Sequence, residues 1–322
     1  MFRFVAALLL AVALPAAAQD PYPSRPVRML VPYAPGGATD IIARIVGAKL
    51  TESLGQSFIV ENRPGANGNL ALEATAKATP DGYTLLVGNV STNAINENIY
   101  AGQLTIRPSH DLAGITKLVE IPHIVVANAG FPANSIAELI ALARKEPGKI
   151  NFASVGMGSY PHLDMERMMK AAGIQLTHVP YKGGAGQAIP AMIGGEVQLA
   201  FFNMASLLPH IRSGRLKALA AVPTQRLPEL PAVPTLAEQG FPGIGTNAWQ
   251  GLFAPAATPK AVVDKLHAAV AAALNKPDEK EGLAKKMLTV AVSPSPQEFT
   301  QLVRKETEEW GQFLRTAKLK IE

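Results

Sequence analysis

Apolar positions along this chain follow two rhythms. Short apolar runs at Val27–Pro32, Phe58–Glu61 and Tyr83–Gly88 predict buried strands. Between the first two, Ile41, Ile42, Ile45, Val46 and Leu50 recur at helical spacing. They predict a helix over Thr39–Leu54, stopped by Gly55. Asn69–Ala78 reads as a second helix and Asp81-Gly82 as a turn. The order β-α-β-α-β implies a parallel sheet with right-handed crossovers.

After an irregular stretch, Tyr100–Leu112, the rhythm resumes. Strands are expected at Ile115–Val119, His123–Ala127, Ile150–Ala153, Thr177–Val179 and Val197–Phe202. Helices are expected at Ser135–Arg144, where Ser135 and Glu138 form a capping box, at Pro161–Ala172 and at Ala185–Ile193. Val222–Pro234 is proline-rich and reads as a connection. Trp249–Ala254 reads as a strand. Thr258-Pro259 opens a C-terminal helix, with Thr258 as N-cap and Pro259 at the first position, and Ser295-Pro296 opens the last one. With 322 residues the chain is long enough for two domains. The expected division is 19–105 with 223–322 as lobe one and 106–222 as lobe two.

The first residues have a different character. Arg3 precedes an apolar run, Phe4–Leu14, followed by Pro15 and Ala16-Ala17-Ala18. That is the pattern of a secretory signal over residues 1–18, cleaved before Gln19. The run is too short to span a bilayer, which takes about 20 apolar residues. Cysteine is absent, which excludes disulfides, thiolate zinc sites, a cysteine nucleophile and a lipoprotein anchor. A bacterial periplasm is the compartment these features imply.

Composition removes further classes. A chain 48% hydrophobic and 17% charged is not disordered. The net charge of +5 is dispersed, with no basic run that would mark a nucleic-acid surface. There is no G-x-S-x-G elbow, Walker A loop or H-E-x-x-H pair. Gly156-Met157-Gly158 lacks the third glycine of a dinucleotide fingerprint. His110, His123, His162, His178, His210 and His267 show no ligand spacing, so neither metal nor cofactor is expected. Ser159 and His162 could share a helix face as nucleophile and base. An exported hydrolase is therefore a second reading, weaker than a pocket-lining role for both.

Two glycine-rich turns remain, each between a strand and a helix. One is Tyr33-Ala34-Pro35-Gly36-Gly37-Ala38-Thr39-Asp40. The other runs from Ser154 through Gly156, Gly158 and Ser159 to His162. Each would offer free backbone N–H groups at a helix N-terminus, where anions bind. Asn89, Ser91 and Thr92 follow a strand at the carboxyl edge of the sheet, where open α/β sheets take ligands. Asp40, in the first turn of its helix, complements the macrodipole.

The motifs Pro35-Gly36-Gly37-Ala38-Thr39-Asp40, Val60-Glu61-Asn62-Arg63-Pro64-Gly65-Ala66 and Pro80-Asp81-Gly82-Tyr83 come in this order. Pro147-Gly148-Lys149-Ile150-Asn151-Phe152-Ala153-Ser154, His178-Val179-Pro180-Tyr181-Lys182-Gly183 and Val233-Pro234-Thr235-Leu236-Ala237-Glu238 follow. Together they resemble the tripartite tricarboxylate transporter receptors, the Bug-type periplasmic solute-binding proteins, over the whole mature chain. The resemblance implies a two-lobed α/β fold similar to class II periplasmic binding proteins, with the ligand between the lobes. It implies capture of a small organic carboxylate and delivery to membrane permease subunits driven by an ion gradient. It also admits a role in presenting ligand to a sensor kinase. A monomer without cofactor is expected.

The same resemblance adds Tyr181, Lys182, Phe202 and Asn203 to the candidate ligand residues. Phe202 stands where the family commonly has an aspartate, and Asn93 where a histidine is common. Phe202 therefore suggests a ligand with an apolar or aromatic body. Trp249 is expected in hinge or core packing.

Overall fold

The computed structural model describes residues 22–317. The expected signal, residues 1–18, lies outside them. The described chain forms two α/β lobes, each built on one sheet.

Lobe one holds six strands in the order β11-β4-β10-β3-β1-β2. These are β1 (Val27–Val31), β2 (Phe58–Asn62), β3 (Thr84–Asn89), β4 (Leu112–Ile121), β10 (Ala248–Pro255) and β11 (Thr289–Val290). β1 pairs in parallel with β2 and β3, as the β-α-β-α-β pattern requires. β10 joins antiparallel to β3 and β4. The helix Ala38–Leu54 buries Ile42, Val46 and Leu50 and ends on Gly55 in the left-handed region, whose N–H bonds to Thr51 O at 3.1 Å. The closing helix Pro296–Ala317 returns to lobe one. There Phe299 packs with Trp249 and Phe253, ring centroids 5.2–6.2 Å apart.

Lobe two holds five strands in the order β7-β6-β8-β5-β9. These are β5 (His123–Asn128), β6 (Asn151–Ser154), β7 (Thr177–Pro180), β8 (Leu199–Asn203) and β9 (Leu216–Ala221). Ser135 caps the helix as expected, its Oγ accepting the Glu138 N–H at 3.1 Å, but the Glu138 carboxylate reaches back to the Asn134 N–H at 2.7 Å and not to Ser135, so half of the capping box forms. Strand alternation splits the lobe's core. Phe201 packs with Phe152 on one face, and Phe202 with Val126 and Ala153 on the other.

The expected boundary at residue 106 is corrected. β4 pairs with β10 along its length and so belongs to lobe one. The chain crosses at Pro122, the single residue between β4 and β5. Two adjacent strands read alike in the sequence; which sheet each joins is decided by pairing with β10, some 130 residues away. The return crossing lies between β9 and β10. A second correction concerns Thr258. The helix begins at Lys260 with Pro259 at its cap, and Thr258 Oγ1 is buried without a partner.

Candidate functional site

The two lobes touch at the carboxyl ends of their strands, and backbone and side-chain bonds cross between them. Ala34 N–H donates to Gly183 O at 2.9 Å. Tyr160 N–H donates to Ser91 Oγ at 3.1 Å, Tyr100 Oη to Met157 O at 2.9 Å and Asn67 Nδ2 to Met157 O at 3.3 Å. This is a closed arrangement.

Gly37 caps the helix Ala38–Leu54 without a side-chain hydrogen bond. A Cβ on Gly37 would meet Ala185 Cβ and Gly186 N, both at 3.9 Å. Ala185 opens the helix Ala185–Ile193, whose cap, Gly184, also lacks a side-chain bond. Two helix N-termini, one from each lobe, thus face each other across the cleft. Their N–H groups and macrodipoles each present roughly half a positive charge there. Thr39 sits in this first turn, and its Oγ1 donates to Gln250 Oε1 at 2.8 Å. Asn89 Nδ2 reaches the same hydroxyl at 3.5 Å. Pro35 and Gly36 are exposed at the mouth, and Ala38 is buried behind them.

Asp40 is turned away from the cleft. It accepts from Gly36 N–H at 3.0 Å, Arg44 Nε at 3.1 Å and Asn62 Nδ2 at 2.9 Å. Burial works to raise this carboxyl, but the hydrogen bonds from Arg44, Gly36 and Asn62 outweigh it and hold it below the usual value. Its role is to fix the glycine turn.

The second expected turn does not face the first. Gly156, at φ +140°, lies against Asn67, and Gly158, at φ +71°, against Ile99. Ser154 Oγ contacts His178 Nε2 at 2.6 Å. Ser159 Oγ donates to Gly156 O at 2.6 Å, and His162 Nδ1 accepts the Gly158 N–H at 3.0 Å. Ser159 Oγ and His162 Nδ1 are therefore spent on the turn itself, His162 Nε2 lies 3.6 Å from Glu166 Oε1, and the two residues form no nucleophile–base pair. His162 stacks on His178 with centroids 3.8 Å apart. Burial, reinforced by His162, pushes His178 down to about 3.

Ser91 and Thr92 lie on a π-helical turn, Ser91–Ile95, that follows β3 and is wholly buried. Thr92 Oγ1 accepts from Asn89 N–H at 3.0 Å. Tyr181 is half-buried and Lys182 exposed. Phe202 is 1% exposed, in an apolar cluster that also holds Tyr33 and Ala38 of lobe one. Asn203 Oδ1 lies 2.6 Å from His123 Nε2 and 3.1 Å from Tyr160 Oη. The His123 ring stacks on Tyr160 at 4.4 Å, and burial pushes His123 down to about 4.

Several residues at this boundary escaped the sequence reading. Gly183-Gly184-Ala185-Gly186 is a third strand–glycine–helix turn, legible by the rule that found the other two. Tyr33 Oη, Asn67 Oδ1 and Gln250 Nε2 are buried without a hydrogen-bond partner. Such atoms cost about 1–3 kcal/mol each unless something pairs them. Only Tyr33 among these was anticipated. Among the described residues no cluster of His, Asp or Glu could hold a metal ion.

Residues 42–319 match the family model described as tripartite tricarboxylate transporter family receptor. The chain belongs to this family. A solved structure described as a periplasmic transporter is 36% identical, with a TM-score of 0.89 over 94% of this chain and all of that one. MatC from Rhodopseudomonas palustris, solved with bound malate, is 34% identical. Its TM-score is 0.84, over 90% of this chain and 99% of its own. A second R. palustris protein, solved with adipate, is 32% identical with a TM-score of 0.88, over 92% and 99%. The receptor therefore has the two-lobed periplasmic binding protein fold. No helix among its described residues is long and apolar enough to cross a membrane.

Proposed function

We propose that this receptor captures a small organic carboxylate between its lobes and hands it to the membrane subunits of an ion-gradient-driven tripartite transporter. The observation that carries this reading is the pair of opposed, side-chain-free helix N-termini at Ala38 and Ala185. An anion between them is held by N–H groups from both lobes, so binding and closure become one event. Thr39, Gln250 and the unpaired Tyr33 hydroxyl stand beside that point and supply neutral hydrogen bonds to the rest of the ligand. Asn89, Ser91, Thr92, Ser154, Gly156, Gly158, Ser159, His162, Tyr181, Lys182, Phe202 and Asn203 complete the proposed surroundings, most of them by shaping the walls. The relatives solved with malate and adipate make dicarboxylates the first ligands to try. Residues 1–18 would direct export, leaving a monomeric periplasmic receptor.

The test is calorimetric titration of the mature protein with malate, adipate, succinate, citrate and benzoate. Uptake of the tightest binder in cells with and without the gene follows. Saturable binding with gene-dependent uptake is expected. No binding across the panel, or binding without any effect on uptake, removes the capture or the delivery half of the reading respectively.

A further inference from the structure

The helix Tyr160–Ala172 carries a buried carboxylate one turn from its start. Asp164 is wholly buried. It accepts the Thr246 N–H at 2.8 Å and the Thr246 hydroxyl at 2.9 Å, and Arg167 Nη1 lies 3.4 Å away. Thr246 belongs to neither sheet. It lies in the segment between β9 and β10 that carries the chain back from lobe two to lobe one. The same helix begins with Tyr160, whose N–H is held by Ser91 Oγ of lobe one. Four residues of one rigid helix, ~6 Å of rise, thus touch both lobe one and the return hinge. The connecting segment packs on lobe two through Phe241 and Ile244, so Asp164 holds the chain where it leaves lobe two, two residues before β10 of lobe one begins.

The geometry points to Asp164 as a positioning residue that ties lobe closure to the return hinge, its buried charge making closure respond to protons. This rests on the reading that the lobes close over a ligand. Arg167, on the same helix, is the cation that faces Asp164, and it is shared. Its Nη2 donates to Gly243 O at 2.5 Å, and its guanidinium stands 5.4 Å from the centre of the Phe313 ring. The hinge contributes neutral groups from Thr246. The last helix brings Glu306 and Glu309, which line with Arg167 and Thr246 a cavity of about 300 Å3. Tyr160, on Asp164's own helix, is buried and uncharged, since burial pushes its hydroxyl well above the usual tyrosine value.

The direction of the response follows. Burial raises Asp164 from its ordinary 3.8 to about 6, more than Thr246 and Arg167 lower it. An opened hinge that admits water returns the carboxyl toward its ordinary value. The closed form then holds the proton more tightly, so closure is favoured as pH falls through 6 and is weakest above 7.

The chain has no cysteine, so spin labels on Glu52→Cys in lobe one and Glu146→Cys in lobe two report the distance between lobes cleanly. The ligand-free protein is measured at pH 7.5 and pH 5, as wild type and as Asp164→Asn, with Thr246→Val as a second variant that removes the hydroxyl contact. Hydrogen exchange at the Thr246 amide is followed in parallel. The short-distance population of wild type should rise at pH 5, and Asp164→Asn should abolish that rise while keeping Thr246 protected. Thr246→Val should shift the population toward open at pH 7.5. An unchanged pH response in Asp164→Asn, or no response in wild type, overturns the proposal. Neither readout needs a ligand, so failure of the carboxylate panel remains a separate result.

Discussion

Gly186 lies so close to Pro35 that a Cβ built on it would collide with the Pro35 carbonyl oxygen. The two residues belong to different lobes, so that collision exists only when the lobes are closed. Gly186 has no positive φ, and the three atoms nearest to such a Cβ all belong to Pro35 and Ala34 of the other lobe. Gly186→Ala should therefore fold normally and fail to close. We expect a melting temperature near that of ligand-free wild type and at least about a tenfold loss of affinity, ~1.4 kcal/mol, by calorimetry. Gly37→Ala is the contrast, because its Cβ would meet Ala185 at an ordinary 3.9 Å and should be tolerated. Gly37→Val reaches further and should fill the space between the helix ends. Normal ligand affinity in Gly186→Ala would show that the closed contact is not part of binding.

Ser91 supplies a second test of closure. Its hydroxyl accepts a buried N–H at the first turn of the lobe-two helix. In Ser91→Ala the Tyr160 N–H loses this partner in the closed form, whereas the open form lets water replace it. The net cost of one such bond is about 1 kcal/mol, or roughly fivefold in affinity. Titration should show that loss with the ligand-free melting temperature nearly unchanged. A drop in stability without a change in affinity would place the bond in the fold instead of the closure step.

The strands and helices of both lobes were legible because their apolar periods are clean, as over Val27–Val31 and Ala38–Leu54. What was not legible depends on contacts distant in sequence. β4 shows its strand character but not its partner. The π-helical turn at Ser91–Ile95 carries Ser91, Thr92 and Asn93, which are wholly buried, so no apolar rhythm marks it. The Gly37 turn was read correctly as a helix N-terminus at the cleft. The Ser154–His162 turn packs on Asn67 and Ile99, and the turn that meets Gly37 is the one at Gly184–Gly186, because turns of the same type do not say which of them meet in space. Gln250 and Asn67 were invisible, since a buried amide announces itself only by the partners it lacks in space.

Acid stability has opposing contributions, and their signs differ by residue. His178 is held down to about 3 in the folded protein and returns to 6.5 on unfolding. The unfolded chain then binds the extra proton, so the stability His178 contributes is present above 6.5 and lost as pH falls toward 3. Buried His123, at about 4, acts in the same direction. Asp164, raised to about 6, acts oppositely: its contribution is full below 3.8 and lost as pH rises through 6. Urea midpoints at pH 7.5 and pH 5 should therefore fall less in His178→Gln than in wild type. They should fall more in Asp164→Asn. Equal falls in all three proteins would mean that neither group titrates between those pH values.

Phe202 bears on which acid fits. Its ring lies on the β8 face opposite Phe201, in the cluster that reaches Tyr33 and Ala38 across the lobe boundary. That cluster also holds Ala188 of the helix Ala185–Ile193, so the ring packs near both helix starts, and its 1% exposure belongs to the closed form. A ring at that wall offers apolar area and no hydrogen bond. A ligand body that replaces protein contacts over the ring gains at most roughly 1.5–3 kcal/mol, one to two decades of affinity. Adipate, with four methylenes, and benzoate should therefore bind more tightly than malate or citrate. Phe202→Asp is a poor probe, because a carboxylate in this cluster would be buried without a partner and would destabilise the fold. Phe202→Leu keeps the apolar character and reduces the area. It should weaken adipate and benzoate several-fold while changing malate little. If Phe202→Leu lowers the melting temperature but leaves the ranking of the acids as in wild type, the ring serves only the core, and specificity must be sought at Tyr33 and Gln250.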